Sequence, residues 1–217
     1  DFGVAKELVS LLRLAASKVK VVYNPIVDDD LASKASEPLE HPWFAPGTPI
    51  PVLLAVGRLV DVKDYPTLLD AFSRIRNARA ARLVVLGDGP LRATLQELVR
   101  LKGLSEDVEF RGFDKNPFKY MVRSRLLLHS SKAEGLPGAL IQAMACGIPV
   151  VSTDCDFGPR EVIERSGYDG FLVPVGDSRA LAERALELLA DDVLARHISE
   201  SGRASVQRFT TAAGMAN

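Results

Sequence analysis

Two basic residues, Arg58 and Lys63, lie five positions apart just after the apolar run Val52–Val56. Arginine and lysine side chains bind phosphate oxygens through charge-assisted hydrogen bonds. In a loop that connects a strand to a helix, this pair could bind a diphosphate. The alternative is two solvated surface charges, and the two residues by themselves favour that alternative.

The segment Ser130–Pro149 carries the strongest functional pattern in the chain. Glu134 follows the apolar run Leu126–His129, and Gly135-Leu136-Pro137 is predicted to open a helix. Free backbone N–H groups at a helix start, with the helix dipole behind them, bind anionic or hydroxyl-rich ligands. A carboxylate beside them could accept hydrogen bonds from sugar hydroxyls. The alternative is that Glu134 only stabilises the start of the helix through the dipole.

The helix predicted after this loop carries Gln142, about one and a half turns further on and near the same mouth. Gln142 could also be just a polar position on a mostly apolar helix. Small residues would let this helix pack closely against its neighbours and hold the backbone amides fixed; they are Ala139, Ala143, Ala145 and Gly147. Glutamate, glycine and proline at a strand end, followed by such a helix, favour a binding site.

The loop Gly87-Asp88-Gly89-Pro90 resembles the start of a dinucleotide-binding loop. Glu109, further along, even offers an acid for a ribose. However, the pattern G-x-G-x-x-G requires a third glycine where Arg92 stands. The phosphate-binding pattern that ends in Gly-Lys-Ser/Thr is also absent from the sequence. Both interpretations are rejected, and a tight turn into a helix is predicted instead.

Short runs rich in valine and leucine alternate with amphipathic segments from Val52 onward. Continuous apolar runs are typical of strands buried on both faces of a sheet. Strands are predicted at Val52–Val56, Arg82–Leu86, Val108–Arg111, Leu126–His129, Pro149–Ser152 and Gly170–Val173. Helices are predicted at Tyr65–Asn77, Pro90–Lys102, Asn116–Arg123, Pro137–Cys146, Pro159–Arg165, Ser178–Ala190 and Asp191–Arg208. The alternation predicts an α/β fold, a doubly wound Rossmann-like parallel sheet that binds ligands at the carboxyl ends of its strands.

The whole chain, residues 1–217, is predicted to form one domain. Residues 1–51 are expected to contain a helix over Val4–Ala15, a strand over Lys20–Tyr23 that ends in Asn24-Pro25, and a loop from Ile26 to Pro51. A loop of that length is usually functional or packs irregularly. Residues 52–190 are predicted to form the Rossmann-like core, and residues 191–217 the C-terminal helix.

The composition excludes several classes of protein. Of the 217 residues 47% are hydrophobic and 25% charged, and the net charge is −1. No basic field therefore suggests binding to nucleic acid or to an anionic membrane surface. Two cysteines, Cys146 and Cys155, do not make a disulfide framework, so a cytoplasmic location is expected. No apolar stretch approaches the roughly 18 residues that suggest a membrane span.

The histidines are not expected to enlarge the site. His41 and His197 are predicted surface residues. His129 ends a strand on the cleft side, where a packing role is favoured over a role in lining the cleft. Asp28-Asp29-Asp30 are predicted to be solvated acids and not metal ligands.

An ordered set of motifs resembles a known family and covers nearly all of residues 20–190. The motifs are VGRL at 56–59 with Lys63-Asp64, LGDGP at 86–90, Gly112-Phe113, EGLP at 134–137 through Ala143, GIPVV at 147–151 and GPRE at 158–161. Together they are similar to the C-terminal, nucleotide-sugar-binding domain of the retaining, metal-independent glycosyltransferases of family 4, which have the GT-B fold. Asn24-Pro25 resembles the segment where the chain enters this domain.

The resemblance implies catalytic roles for three side chains. Arg58 and Lys63 match the pair that neutralises the donor diphosphate as the sugar leaves. Glu134 matches the first acid of the family's E-x7-E motif, which contacts the donor sugar. The backbone that would face sugar and phosphate is that of Gly135, Leu136, Pro137 and Gly138.

Two further residues are implied to bind the nucleoside. Phe113 lies where main-chain groups of the family meet the nucleobase. Gln142 stands where the family has the second acid of its motif, which holds the ribose hydroxyls. Glutamine still donates and accepts hydrogen bonds, so the ribose contact is retained in principle.

The resemblance thus implies the donor-binding domain of a hexosyltransferase-like enzyme that uses no metal or other cofactor. Its co-substrate would be a UDP- or GDP-linked sugar. The acceptor, a sugar or a lipid, would be bound by an N-terminal domain that is expected to be missing here. Any peripheral membrane contact would also be made by that domain. The chain alone is expected to bind the donor without transferring sugar. The alternatives are a nucleotide-sugar-binding subunit that needs a partner chain, and a sugar-nucleotide epimerase of the same fold, for which no base is found.

Overall fold

The computed structural model describes residues 9–19, 26–27 and 30–210. Within them the strands are β1 (Val52–Val56), β2 (Arg82–Leu86), β3 (Val108–Gly112), β4 (Leu126–His129), β5 (Val150–Thr153) and β6 (Phe171–Val173). The α-helices are α1 (Leu31–Ser36), α2 (Tyr65–Ala78), α3 (Arg92–Leu101), α4 (Phe118–Met121), α5 (Gly138–Ala145), α6 (Pro159–Val162), α7 (Ser178–Ala190) and α8 (Asp192–Ser205). Short 3₁₀ helices lie at Ala16–Lys18, Pro42–Phe44, Asp61–Lys63 and Val206–Phe209.

Part of the N-terminal prediction lies outside the described residues. Of the helix expected over Val4–Ala15, residues 9–11 are described as helical. The strand expected over Lys20–Tyr23, the dipeptide Asn24-Pro25 and the acids Asp28 and Asp29 fall outside. In the described part of the chain, none of the helices combines the length and the apolar character needed to cross a membrane.

The sheet is parallel throughout, with the strand order β3-β2-β1-β4-β5-β6. The chain builds β1, β2 and β3 outward in one direction and then returns to place β4 on the other side of β1. This order confirms the predicted doubly wound, Rossmann-like sheet. The reversal between β1 and β4 opens a crevice at the carboxyl ends of these strands, which is where ligands bind in such sheets.

Helices cover both faces of the sheet, as the continuous apolar runs predicted. Along β1, Leu53 and Ala55 pack into one core layer, while Val52 and Leu54 pack into the other. The first layer joins the sheet to α2 and α7 through Phe72 and residues of similar burial. The second joins it to α4, α5 and the 3₁₀ helix Val206–Phe209. The carboxyl ends of the central strands are thereby held between two packed layers.

The helix predicted over Asn116–Arg123 is shorter in the structure, because side chains hold the residues before it in turns. The Asp114 carboxylate accepts a hydrogen bond from Asn116 N at 2.8 Å, and the Asn116 side-chain oxygen accepts one from Phe118 N at 3.2 Å. Short polar side chains that bond nearby backbone groups in this way compete with the helix. α4 therefore begins only at Phe118.

The helix predicted over Pro159–Arg165 is also shorter, for a similar reason. The carboxylate of Asp169, which is buried, accepts hydrogen bonds from Glu164 N at 3.3 Å and from Arg165 N at 3.0 Å. These amides are consequently not available to continue α6, which ends at Val162.

The stretch Ile26–Pro51, predicted to be a long loop that is functional or packs irregularly, is partly helical in the structure. It contains α1 and the 3₁₀ helix Pro42–Phe44, and it packs against the core as an irregular excursion. The Arg82 guanidinium lies 4.9 Å from the centre of the Trp43 ring, and Phe44 meets Tyr120 edge to face at 5.9 Å.

His41 lies in the same stretch and is buried, so its predicted surface position is wrong. Its Nε2 lies 3.0 Å from a carboxylate oxygen of Glu109, and its ring contacts those of Trp43 and Phe44. His197 is exposed, as predicted, with its ring edge-on to that of Tyr168.

Candidate functional site

The loops that follow β1 and β4 meet at the crevice and are bonded to each other. Lys132 N donates to the carbonyl of Val62 at 2.8 Å, and the Ser130 hydroxyl donates to the carbonyl of Lys63 at 2.8 Å. Asp64 takes a left-handed conformation, φ +48° and ψ +47°, which turns the chain from the 3₁₀ helix Asp61–Lys63 into α2. Hydrogen bonds to backbone carbonyls thus fix the position of Lys63 relative to the β4 loop.

Lys63 and Glu134 form an ion pair across this junction. Lys63 Nζ donates to Glu134 Oε1 at 2.5 Å, and the side chains are only 24% and 10% exposed. Partial burial strengthens such a pair, because little water screens it. The cation predicted to bind a diphosphate and the acid predicted to contact a sugar are therefore side by side.

Two further groups bond the same carboxylate oxygen. Glu134 Oε1 lies 2.6 Å from the hydroxyl of Ser131, which donates to it, and 2.9 Å from Nε2 of His129. The Ser131 carbonyl in turn accepts a hydrogen bond from the hydroxyl of Thr153 at 2.6 Å, which ties the loop to the end of β5.

These contacts hold the carboxylate ionised. Burial by itself raises the pKa of Glu134, but the hydrogen bond and charge of His129 and the hydrogen bonds from Lys63 and Ser131 outweigh it and lower the pKa to about 2. Burial and then the charge of Glu134 raise the pKa of Tyr65, so its hydroxyl keeps its proton and donates to the carbonyl of Gly57 at 2.9 Å. At neutral pH the site therefore presents a fixed, negatively charged acceptor.

A cleft of about 440 Å³ opens beside this ion pair, within the range usual for small-molecule sites. Arg58 and Gln142 line it, and so does Phe113, which is 77% exposed. The other residues that line it are Val56, Gly57, Leu86, Gly87, Asp88, Asp114, Lys115 and Pro117. The cleft thus lies over the carboxyl ends of β1, β2 and β3, next to α5.

The two acids in the cleft are already bonded to groups of the chain. Asp88 accepts a hydrogen bond from Gly89 N at 2.8 Å and lies 3.6 Å from the Arg92 guanidinium. Asp114 accepts the hydrogen bond from Asn116 N, and its other oxygen lies 3.1 Å from Lys119 Nζ.

The loop between Glu134 and α5 presents backbone amides. Within the described part of the chain, the N–H groups of Gly135, Leu136 and Gly138 donate no hydrogen bond. Gly158 packs directly on this loop: a Cβ atom at Gly158 would lie 1.8 Å from the carbonyl oxygen of Gly135. Only a glycine lets the loop after β5 approach so closely. The contact holds the loop that carries these amides in place.

Similarity to known proteins shows the family of the chain. Residues 50–191 match the family described as Glycosyl transferases group 1. The chain belongs to this family.

Relatives support the assignment and differ in length from the chain. The chain is 38% identical over 148 residues to an uncharacterised glycosyltransferase of Methanocaldococcus jannaschii, covering 68% of the chain and 36% of that protein. It is 30% identical over 207 residues to the N-acetylgalactosamine-N,N'-diacetylbacillosaminyl-diphospho-undecaprenol 4-alpha-N-acetylgalactosaminyltransferase of Campylobacter jejuni, covering 95% of the chain and 54% of that protein. The chain thus spans about half, or less, of the length of these relatives.

A solved structure of similar fold is that of HepE from Anabaena in complex with UDP. The two structures superpose with a TM-score of 0.82 at 25% sequence identity, over 94% of the chain and 57% of HepE. The superposition extends over the parallel sheet and its helices, and it supports the α/β fold predicted from the sequence.

In this glycosyltransferase-family chain, the predicted site residues form two adjoining groups. Lys63 and Glu134 are bonded to each other, with the loop Gly135–Gly138 beside them. Arg58, Phe113 and Gln142 line the neighbouring cleft, and neither Lys63 nor Glu134 is among the residues that line it. Their roles toward a ligand stay predictions.

His129 was missed as a site residue, because a buried histidine at a strand end most often packs in the core. In the structure it is buried, yet its ring bonds Glu134 on one side and Ser152 Oγ, at 2.9 Å, on the other. The available signal was the distance along the chain: His129 and Glu134 flank a loop of only four residues at a strand end.

Proposed function

We propose that the chain is the donor-binding part of a retaining glycosyltransferase of family 4 and that it binds a nucleoside-diphosphate sugar. The observation that carries the proposal is the junction of the β1 and β4 loops at the reversal of strand order. There Lys63 is paired with Glu134, beside free backbone amides and a cleft large enough for a nucleotide.

The diphosphate would lie between the two basic residues and the amide loop. Arg58 reaches it from the cleft and Lys63 from the 3₁₀ helix, and the amides of Gly135 and Leu136 donate to its oxygens. Fixed donors of this kind stabilise the negative charge that grows on the diphosphate as the bond to the sugar breaks. The chain's part in catalysis is mainly electrostatic: it stabilises the leaving group.

The remaining parts of the donor would contact other side chains. The sugar hydroxyls donate to Glu134, whose carboxylate is ionised and held in one position. The ribose hydroxyls bond the Gln142 amide, and the nucleobase lies near Phe113 in the cleft.

We infer uracil as the nucleobase, because the similar HepE structure holds UDP. For the acceptor we infer a sugar on a lipid diphosphate, as in the name of the Campylobacter jejuni relative. It would be bound by a second domain, since the relatives are about twice as long as the chain. The cations in the cleft and the bonded state of Asp88 and Asp114 support a donor site that needs no metal or other cofactor. We also propose a cytoplasmic location, since both cysteines are free.

The test is the binding of UDP and of uridine to the Arg58→Ala and Lys63→Ala variants by calorimetry. Each variant should bind UDP about 1.5–3 kcal/mol more weakly, the range for a hydrogen bond to a charged group. The loss should be much smaller for uridine, which has no phosphates. Lys132→Ala, which removes an exposed cation paired with Asp61 outside the cleft, is the matched control. Equal losses for UDP and uridine would reject the proposed diphosphate contacts.

A further inference from the structure

Glu134 has one carboxylate oxygen that accepts three hydrogen bonds, from Lys63, Ser131 and His129. Lys63 is the member of this set that the proposed function also assigns to the donor diphosphate. Once its ammonium group is shared with a diphosphate, it stabilises the carboxylate less. Another group must then keep Glu134 in place and ionised while the sugar binds.

The hydrogen-bond geometry identifies the atom of His129 that carries a proton. Glu134 is ionised at neutral pH, so its carboxylate can only accept, and the contact of 2.9 Å requires a proton on His129 Nε2. On the other side of the ring, Nδ1 lies 2.9 Å from Ser152 Oγ. The single proton of the Ser152 hydroxyl either goes to Nδ1 of a neutral ring or to the carbonyl of Thr153 at 3.0 Å, in which case Ser152 accepts from Nδ1–H of a protonated ring. In both cases Nε2–H points at Glu134.

The connection of a serine, a histidine and an acid has the order of a hydrolase triad, but the burial excludes that chemistry. Ser152 is 0% exposed and its hydroxyl lies inside the sheet layer, 3.0 Å from the carbonyl of Thr153. No substrate can reach it, so it cannot act as a nucleophile. What Ser152 can do is fix the plane of the imidazole ring, as second partners of histidines commonly do.

We propose that His129 is a positioning residue that holds the Glu134 carboxylate through Nε2–H, with Ser152 fixing the ring from behind, so that Glu134 keeps its place when Lys63 binds the donor diphosphate. The proposal rests on the proposed function. It assigns His129 no contact with the donor. Its effect on binding must therefore pass through Glu134 and must concern the sugar and not the diphosphate.

Two substitutions separate the two nitrogens of the ring. In His129→Gln the side-chain amide can place a donor near the position of Nε2 and keep the bond to Glu134. In His129→Asn the shorter amide reaches only toward Ser152, and the bond to Glu134 is lost. His197→Asn, at an exposed position beside Tyr168, is the control for a histidine removed outside the site.

The measurement is the dissociation constant of each variant for UDP and for UDP-glucose. His129→Asn should weaken the binding of UDP-glucose by about tenfold, the effect of one lost hydrogen bond to a charged group. The binding of UDP should stay nearly unchanged. His129→Gln and His197→Asn should bind both ligands almost as the unaltered chain does. Unchanged UDP binding also shows that a variant is folded. A loss of both ligands in equal measure, or a failure of His129→Gln to restore UDP-glucose, would overturn the positioning role.

Nitrogen NMR of the imidazole rings tests the same proposal without a ligand. The chain has three histidines, so the signals can be assigned by substitution. His129 Nε2 should be protonated, and its signal should move in Glu134→Ala while those of His41 and His197 stay. An unprotonated Nε2 would overturn the proposal even if UDP binds. If Nε2 is protonated but the chain binds neither UDP nor UDP-glucose, the proposed UDP-sugar donor fails instead.

Discussion

At the scale of single residues, the site depends on groups that are each bonded before a ligand arrives. Lys63 is paired with Glu134, and Glu134 with Ser131 and His129. A ligand therefore meets acceptors and donors whose geometry is already fixed, and little conformational entropy is lost on binding. Gln142 differs from this group, since it lines the cleft and no hydrogen bond of its side chain is found within the described residues.

Gln142 should respond to the ribose of the nucleotide and to nothing else. Gln142→Ala should weaken the binding of UDP by about 0.5–1.5 kcal/mol, the range for a neutral hydrogen bond. It should weaken the binding of 2′-deoxy-UDP much less, because one hydroxyl partner is already gone. Gln142→Glu should keep the affinity for UDP unchanged or increase it by up to about 1 kcal/mol, because a carboxylate accepts hydrogen bonds more strongly than an amide. Calorimetry with both nucleotides decides. If Gln142→Ala binds both as the unaltered chain does, the residue is only part of the helix.

The ionisation of Glu134 should be visible in the pH dependence of stability. Its pKa falls from an ordinary value of 4.5 to about 2 in the folded chain, so folding favours the ionised form. The stabilisation is complete above about pH 4.5 and is lost as the pH falls toward about 2. Denaturant midpoints across this range should fall more steeply for the unaltered chain than for Glu134→Gln. Parallel curves for the two would show that the carboxylate is not stabilised by its neighbours.

Residue types and spacing predicted which side chains would lie at the crevice, but not how they bond to each other. The diphosphate contacts of Arg58 and Lys63 stay a prediction, and the bond of Lys63 to Glu134, 71 residues further along the chain, could not be derived from spacing. His41 was placed on the surface because the stretch around it was taken for a loop. The aromatic residues Trp43 and Phe44 next to it were the signal that this stretch packs.

At the scale of elements, strand positions were predicted to within a residue or two, because continuous apolar runs depend on burial alone. The ends of α4 and α6 were not predicted, since they depend on single polar side chains that bond nearby backbone amides in turns. Asp169, for example, bonds the amides of residues 164 and 165 across a turn. Loop contacts between elements, such as that of Gly158 with Gly135, are equally invisible in the sequence pattern.

The contact of Gly158 with Gly135 should be essential for both stability and binding. Gly158→Ala introduces a Cβ atom 1.8 Å from the Gly135 carbonyl at φ +81°, and should destabilise by about 3 kcal/mol or more. Gly176→Ala is a matched control, since Gly176 has φ +76° and nothing within 4 Å of the added Cβ; it should lose only about 1–2 kcal/mol. Of the two variants, only Gly158→Ala should weaken the binding of UDP. Similar losses in both variants would mean that backbone strain, and not the contact, matters.

At the scale of the whole molecule, the proposed site follows from topology. Strand order reverses between β1 and β4, and both flanking loops must leave the sheet there in opposite directions. The two packed layers that cover the sheet keep these loops at a fixed separation. The sequence predicted this crevice because the alternation of strands and helices implies it, whereas the share of the relatives' length that the chain spans could only be learned by comparison.

Binding of UDP should stabilise the whole chain, and should do so without a divalent cation. A ligand at about one hundred times its dissociation constant adds about 2.7 kcal/mol, or roughly 5–10 °C in the melting temperature of a chain of this size. In the proposed site, Arg58 and Lys63 would supply the positive charge that a metal would otherwise provide. Asp88 and Asp114, the acids that line the cleft, are bonded to backbone amides and lie near Arg92 and Lys119. Thermal unfolding with UDP should therefore give the same shift with a chelator as with added magnesium. A shift that disappears in the chelator would mean that a cation bridges the diphosphate to the cleft.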